Sequence, residues 1–118
     1  MSAETLIYAT LSGAAGVTAI VSLRIYPDFI SQEIALPAIV NQRIDTEYDH
    51  TIHSFVAIAV KVITDSYCLA ATRIGAEALA DAVAVALPAG SFRVSARRTE
   101  FDPETMTHIS TITSEVWE

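Results

Sequence analysis

The sequence predicts one α+β domain over residues 1–118, with helices packed on one face of a small, mainly antiparallel sheet. Apolar residues recur at helical spacing between Thr72 and Leu87, whereas they alternate at a period of two in SFVAIAVKVITD. Near the end of the chain, the turn sequence DPET separates two stretches rich in Thr, Ile, Val and aromatic residues. These patterns predict the order helix-helix-strand-strand-strand-helix-strand-strand, which is typical of the α+β class. A chain of 118 residues has the length of one typical domain.

The first apolar stretch, Thr5 to Leu23, contains 19 residues and no charge. A helix of about 20 apolar residues is long enough to cross a bilayer. Five hydroxyl side chains and the segment Gly13–Gly16 argue against such a helix, because each glycine costs about 1 kcal/mol of helix stability relative to alanine. The acidic Glu4 is also unlike the positively charged start of a signal peptide. We therefore predict two short helices with a break between them, and no membrane association.

A short strand over Leu23–Tyr26 and a second strand over Ala38–Thr46 follow the two helices, each bounded by a proline. The loop between them, Phe29–Leu36, is more apolar than a solvated loop normally is. We therefore predict that its large apolar residues contact other subunits or a partner. These residues are Phe29, Ile30 and Ile34.

The third predicted strand carries β-branched residues at the even positions 56–62 and several small residues at the odd positions 55–63. The small residues predict a helix packed closely against the odd-numbered face. The polar segment Asp45–His53, between the second and third strands, predicts a hairpin tip. The third helix is predicted from Thr72, a suitable N-cap, to Leu87, just before Pro88. Its predicted apolar stripe contains Ile74, Leu79, Ala82, Val83, Ala86 and Leu87.

The composition indicates a protein that associates with copies of itself or with a large partner. Apolar residues make up 52% of the chain and charged residues 18%, against a norm of about 25% charged. So few charges leave large apolar patches exposed on a small domain, and such patches usually mark protein contacts. The net charge of −7 argues against general binding to nucleic-acid phosphates. The single cysteine, Cys68, is predicted to be a small buried apolar residue, not a nucleophile or zinc ligand.

The densest polar cluster lies in the predicted hairpin tip and contains Asp45, Glu47, Asp49, His50 and His53. In an extended strand the three acids share one face. Two interpretations stay open, namely a solvated tip and a divalent-metal site at a subunit junction, for which the spacing HxxH is a weak signal. The sequence contains no recognisable nucleophile-base set or glycine-rich phosphate loop, so we predict that the protein is not an enzyme and needs no cofactor.

The main basic group consists of Arg93, Arg97 and Arg98. In a regular strand, Arg93 and Arg97 share one face and Arg98 lies on the other. Nearby acids such as Glu100 favour ordinary surface ion pairs for these arginines. The alternative is a contact between Arg97 or Arg98 and an acidic surface of a partner.

Four stretches of the chain resemble the tail-completion or tail-terminator family of long-tailed phages and gene transfer agents. Within them, RIYPD, the strand entry at Pro37, the EALADAV helix and the final hairpin ending in Val-Trp carry most of the specificity. The stretches occur in the family's order and cover nearly the whole chain. They are ETLIYATLSGAAGVTAIVSLRIYPD, ALPAIVNQR, AATRIGAEALADAVAVAL and FDPETMTHISTITSEVW.

This resemblance implies a structural virion protein, made in the bacterial cytoplasm and located at the junction of tail and neck. Members of the family assemble as a homohexameric ring that caps the tail tube, stops its growth and joins it to the head–neck connector or stopper protein. The implied partners are copies of the chain itself, the major tail tube protein and the connector. DNA would pass through the channel without specific binding, because six copies at −7 each carry about −42 and like charges repel.

Under the resemblance, the apolar loop, the Asp45–His53 hairpin and the pair Arg97 and Arg98 become candidate contacts between subunits or with the tube. Two alternatives remain open. One is a small oligomeric metal-binding protein or enzyme built on the Asp45–His53 cluster. The other is a neighbouring stopper protein of the same particle.

Overall fold

The computed structural model of the chain describes residues 3–22, 24–27, 36–50, 57–88 and 90–117. The helices and strands follow the predicted order, and the α+β class is confirmed. The elements are α1 (Ala3–Ser12), α2 (Ala15–Val21), β1 (Ile25–Pro27), β2 (Ala38–His50), β3 (Ala57–Ala70), α3 (Arg73–Ala86), β4 (Phe92–Asp102) and β5 (Thr107–Trp117).

The described strands form one five-stranded sheet in the order β1-β2-β3-β5-β4. β1 is parallel to β2, and every other neighbouring pair is antiparallel. The pairing of β3 with β5 begins at Lys61↔Trp117, whereas its pairing with β2 continues beyond Lys61 as far as His50↔Ala57. The β2–β3 hairpin therefore extends past the end of β5. We call this extension, formed by residues 48–50 and 57–60, the hairpin arm.

The described helices pack on one face of the sheet, which we call the helix face; the opposite face is the outer face. On the helix face, Val62 and Cys68 of β3 and Ile112 and Val116 of β5 are buried in the main apolar cluster. The helices contribute Ala3, Ile7, Leu11, Val17, Val21, Leu79, Ala80 and Val83 to the same cluster.

The prediction that a helix packs against the odd-numbered face of the third strand is wrong. The described helices cover the even-numbered face, which contains Val62, whereas Lys61 and Ile63 lie on the outer face. Burying branched apolar side chains under the helices removes more apolar area from water than burying a set that includes a lysine.

Helix α3 begins where the sequence predicts. The side chain of Thr72 caps it by accepting a hydrogen bond from the backbone N–H of Gly75 at 3.0 Å. The prediction that Ile74 belongs to the buried stripe is wrong, since 81% of Ile74 is exposed. A separation of five residues puts Ile74 about 140° around the helix from Leu79. The buried stripe consists of Ala76, Leu79, Ala80 and Val83.

The predicted break in the first apolar stretch is confirmed between α1 and α2. The two helices meet at an angle of 82° around Gly13 and Ala14. No single helix among the described residues is long and apolar enough to cross a membrane, and α1 and α2 satisfy both criteria only as this bent pair.

Two pairs of polar side chains are buried on the helix face. Thr64 Oγ1 and Ser114 Oγ are 3.1 Å apart, and Ser66 Oγ donates to Asn41 Oδ1 at 2.9 Å. In both pairs the two residues lie directly opposite each other on neighbouring strands. These hydrogen bonds avoid the cost of about 1–3 kcal/mol that an unsatisfied buried polar group carries.

Candidate assembly surfaces

The hairpin arm contains part of the polar segment that the sequence predicts as a turn. The structure corrects that prediction at Asp45–His50, because these residues belong to β2 and pair with β3. Paired strands satisfy the backbone hydrogen bonds of polar residues as well as those of apolar ones, so polarity does not end a strand that reaches into solvent. The side chains of Asp49 and His50 and the whole of His53 lie outside the described residues.

A row of charged side chains crosses the outer face beside the hairpin arm. The Lys61 ammonium lies 2.7 Å from Glu47 and 3.4 Å from Glu115, and Arg93 lies 3.8 Å from the second oxygen of Glu115. Lys61 also lies over the Trp117 ring, 5.9 Å from its centroid. The hydrogen bond to Glu47, aided by the charge of Glu115, raises the pKa of Lys61. This row links the three neighbouring strands β2, β3 and β5 to the edge strand β4.

A second polar group on the outer face surrounds Asp65, which is buried although its side chain is acidic. Thr113 Oγ1 donates to its carboxylate at 2.6 Å, the Tyr67 hydroxyl donates at 3.3 Å, and Arg98 lies at 3.5 Å. Burial, followed by the charge of Asp65, raises the pKa of the Tyr67 hydroxyl. Asp65 therefore has both the hydrogen bonds and the opposite charge that a buried carboxylate requires.

The arginines of β4 do not lie on the faces that a regular strand predicts. A β-bulge between Val94 and Ala96 inserts one residue, so Arg93 and Arg98 share the outer face and Arg97 points to the helix face. One inserted residue reverses the side of every later position, because side chains alternate with a period of two.

Arg97 connects the edge strand β4 to helix α3. It lies 2.6 Å from the Asp81 carboxylate and donates to the backbone carbonyl of Glu77 at 3.1 Å. Arg98, by contrast, is 60% exposed at its side chain and contacts Asp65 and Glu100 across the outer face. Both arginines thus make contacts within the chain, and their role in contacts with another chain remains a prediction.

Large apolar side chains are exposed at several places that the sequence does not single out. An apolar groove of about 310 Å³ lies between α2 and α3, with Ala14, Val17, Ala82 and Val85 in its lining. The predicted apolar contacts Phe29, Ile30 and Ile34 lie outside the described residues. The exposed large apolar residues are Tyr8, Ile44, Tyr48, Ile74, Val85, Val94, Phe101, Met106 and Trp117.

The interpretation of the Asp45–His53 cluster as a metal site rests on residues that the structure describes only in part. Asp45 accepts a hydrogen bond from the Thr46 backbone N–H, and Glu47 pairs with Lys61. Within the described ranges, no three His, Cys, Asp or Glu side chains come together in a way that could hold a metal ion.

Cys68 is a buried apolar residue of the helix face, as the sequence predicts. Burial raises the pKa of its thiol to about 12, whereas an exposed cysteine ionises near pH 8.5. Between about pH 9 and 12 the unfolded chain therefore loses a proton that the folded chain keeps. The free energy of unfolding must then fall as the pH rises through this window, by up to about 1.4 kcal/mol per pH unit.

We expect Cys68→Ala to remove this part of the alkaline loss of stability. Urea unfolding at several values between about pH 8 and 10.5 measures it, with the wild-type chain as the reference. Tyr67 and Lys61 also have raised pKa values and contribute slopes of the same sign, so a smaller slope remains in the variant. An unchanged slope would show that the Cys68 thiol ionises in the folded protein as readily as in the unfolded chain.

The fold of the chain is similar to that of a protein in a solved virion structure. It superposes on a chain of a solved structure described as "Virion of native gene transfer agent (GTA) particle", with a TM-score of 0.74. The superposition covers 98% of this chain and 93% of that chain, at 12% sequence identity, so the likeness is one of fold. No curated protein matches the chain at a significant level.

The sequence profile of the family Tail completion protein gp17 matches residues 5–118. The chain therefore belongs to this family, and the resemblance drawn from its sequence is confirmed. Its membership makes it a structural component of a virion tail.

Proposed function

We propose that the protein is a non-enzymatic tail terminator, which caps the end of the tail tube as a homohexameric ring. In this role it stops growth of the tube and joins the tail to the head–neck connector at the junction of tail and neck. Its partners are copies of itself, the major tail tube protein and the connector or stopper protein. The match of the tail-completion family to nearly the whole chain carries this proposal.

The surface of the chain supports an assembling role. Tyr48 on the hairpin arm, Val85 beside the α2–α3 groove and Trp117 at the end of β5 are each more than half exposed. They belong to three different elements, namely β2, α3 and β5. A ring subunit that contacts two neighbours, a tube and a connector needs exposed apolar surface in several directions.

The charge of the chain supports passage of DNA through the ring without specific binding. Each copy carries a net charge of −7, so a hexamer carries about −42. A lumen of the same sign as DNA repels the phosphate backbone and does not retain it.

Light scattering combined with a tube assay tests the proposal. We expect a particle of about 76 kDa, six times 12.7 kDa, either alone or on purified tail tubes, and its mass should not change with a chelator. Adding the protein to growing tubes should stop their elongation, as measured by tube length in electron micrographs. A chain that stays a single subunit and leaves tube length unchanged would overturn the proposal, and a mass that depends on metal would favour the metal-site interpretation.

A further inference from the structure

We propose that the ring closes through two strand edges of opposite charge. The outer edge of β2 in one copy, at residues 44–50, docks on the outer edge of β4 in the next copy, at residues 92–98. This inference rests on the proposed ring and names the interface that would close it.

Both strands have an edge that no described strand covers. Among the described strands, β4 pairs only with β5, and its residues 93–101 are exposed. β1 covers β2 only at Ile39–Asn41, so the described sheet leaves the rest of that edge unpaired. An uncovered edge presents backbone N–H and C=O groups to a strand of another chain.

The two edges carry opposite charges. Residues 44–50 contain three carboxylates and neither lysine nor arginine, whereas residues 92–98 contain three arginines and no carboxylate. The side chains of Asp45 and Glu47 lie on the outer face at the acidic edge. Those of Arg93 and Arg98 lie on the same face at the basic edge. The two arginine side chains are 83% and 60% exposed, so they remain accessible to another chain despite their contacts within this one.

The helix-face sides of the two edges also match. The side chain of Tyr48 points to the helix face, since Tyr48 lies opposite Val60, and it is 59% exposed. Val94 lies opposite Ser114, points to the same face and is 41% exposed. Docking the edges side by side would thus place an aromatic residue near a valine on one face and acids near arginines on the other. Cross-strand pairs of both kinds stabilise an antiparallel sheet.

The strand directions and charges favour a head-to-tail contact. β2 and β4 run in opposite directions within one sheet, because three antiparallel pairings separate them. A second copy in the same orientation would therefore continue the antiparallel pattern. A contact of β4 with β4 would place arginines against arginines, and a contact of β2 with β2 would place acids against acids. Only the mixed contact is favourable, and a head-to-tail contact that repeats by rotation closes a ring.

Charge reversal tests this interface. We expect Arg93→Glu with Arg98→Glu to raise the concentration needed for assembly at least about tenfold, because like charges then face each other. Asp45→Lys with Glu47→Lys should have the same effect. Combining all four substitutions in one chain should restore assembly. Arg73→Glu is the matched control, since Arg73 is an exposed arginine on α3 that pairs with Glu77 within its own helix.

A mixing experiment distinguishes a lost interface from a lost fold, because two unfolded chains would not assemble when they are combined. Each two-substitution chain keeps one natural edge and one reversed edge, so a mixture of the two should form rings in which they alternate. Mass is measured by light scattering with and without tail tubes, and circular dichroism follows folding. If the arginine variant assembles like the wild type, or if two variants with the circular dichroism spectrum of the wild type stay unassembled when mixed, this interface is wrong while the proposed ring stands. If the wild type itself never assembles or binds tubes, the proposed function falls as well.

Discussion

A chain in which a two-residue Asn-Gly turn joins Tyr48 directly to Val60 is expected to fold but not to form rings. These two residues lie opposite each other in the hairpin, so a two-residue turn fits between them. The shortened chain keeps Val62 and Cys68, the residues of β3 that lie in the buried apolar cluster. The change therefore removes most of the arm, and with it much of the Asp45–His53 segment, for which the sequence predicts contacts with neighbours or the tube.

The measurements are particle mass by light scattering and binding to tail tubes by cosedimentation. Far-UV circular dichroism and the thermal unfolding midpoint, compared with those of the full chain, establish that the shortened protein is folded. Normal rings from a folded, shortened chain would show that the hairpin arm does not make the contacts assigned to it.

Leu79→Ala is expected to lower the free energy of unfolding by about 2–5 kcal/mol, the usual cost of truncating a fully buried leucine. Leu79 is completely buried between α3 and the sheet, in the same cluster as Val83 and Ile112. A loss of this size is a large part of the total stability of a small domain.

Urea unfolding of the two proteins measures this loss, and Ile74→Ala provides the control on the same helix. Since Ile74 is largely exposed, its truncation should change the free energy of unfolding by no more than about 0.5 kcal/mol. The sequence pattern places Leu79 and Ile74 in one buried stripe. Equal losses in the free energy of unfolding for the two variants would therefore support the sequence prediction and contradict the structure.

The order of helices and strands is predictable from this sequence because each element has a strong local signal. Helix α3 has a threonine cap and an apolar period of 3.6, and the break between α1 and α2 coincides with Gly13. The end of β2 has no such signal. Residues Asp45–His50 are nearly all polar, and polarity alone does not distinguish a paired strand from a turn.

The assembly surfaces are less predictable than the fold, because they depend on which face each side chain occupies. The bulge between Val94 and Ala96 has no clear signature in the stretch RVSAR. It nevertheless determines the faces of the later residues, so that Arg97 contacts α3 and Arg98 lies on the outer face. The acidic and basic segments are visible in the sequence. Their position at opposite edges of one sheet is not, because it depends on the strand order.

The buried polar pairs on the helix face also have a consequence for how β3 aligns with its neighbours. Many residues of β3 are buried on both faces of the sheet, among them Thr64, Asp65, Ser66 and Leu69. The alternation of buried and exposed residues therefore does not by itself fix the register of β3 against β2 and β5. Sliding the strand by two positions would leave each side chain on its own side but would separate Thr64 from Ser114 and Ser66 from Asn41. These buried hydrogen bonds therefore favour the observed register of the central strand over registers shifted by two residues.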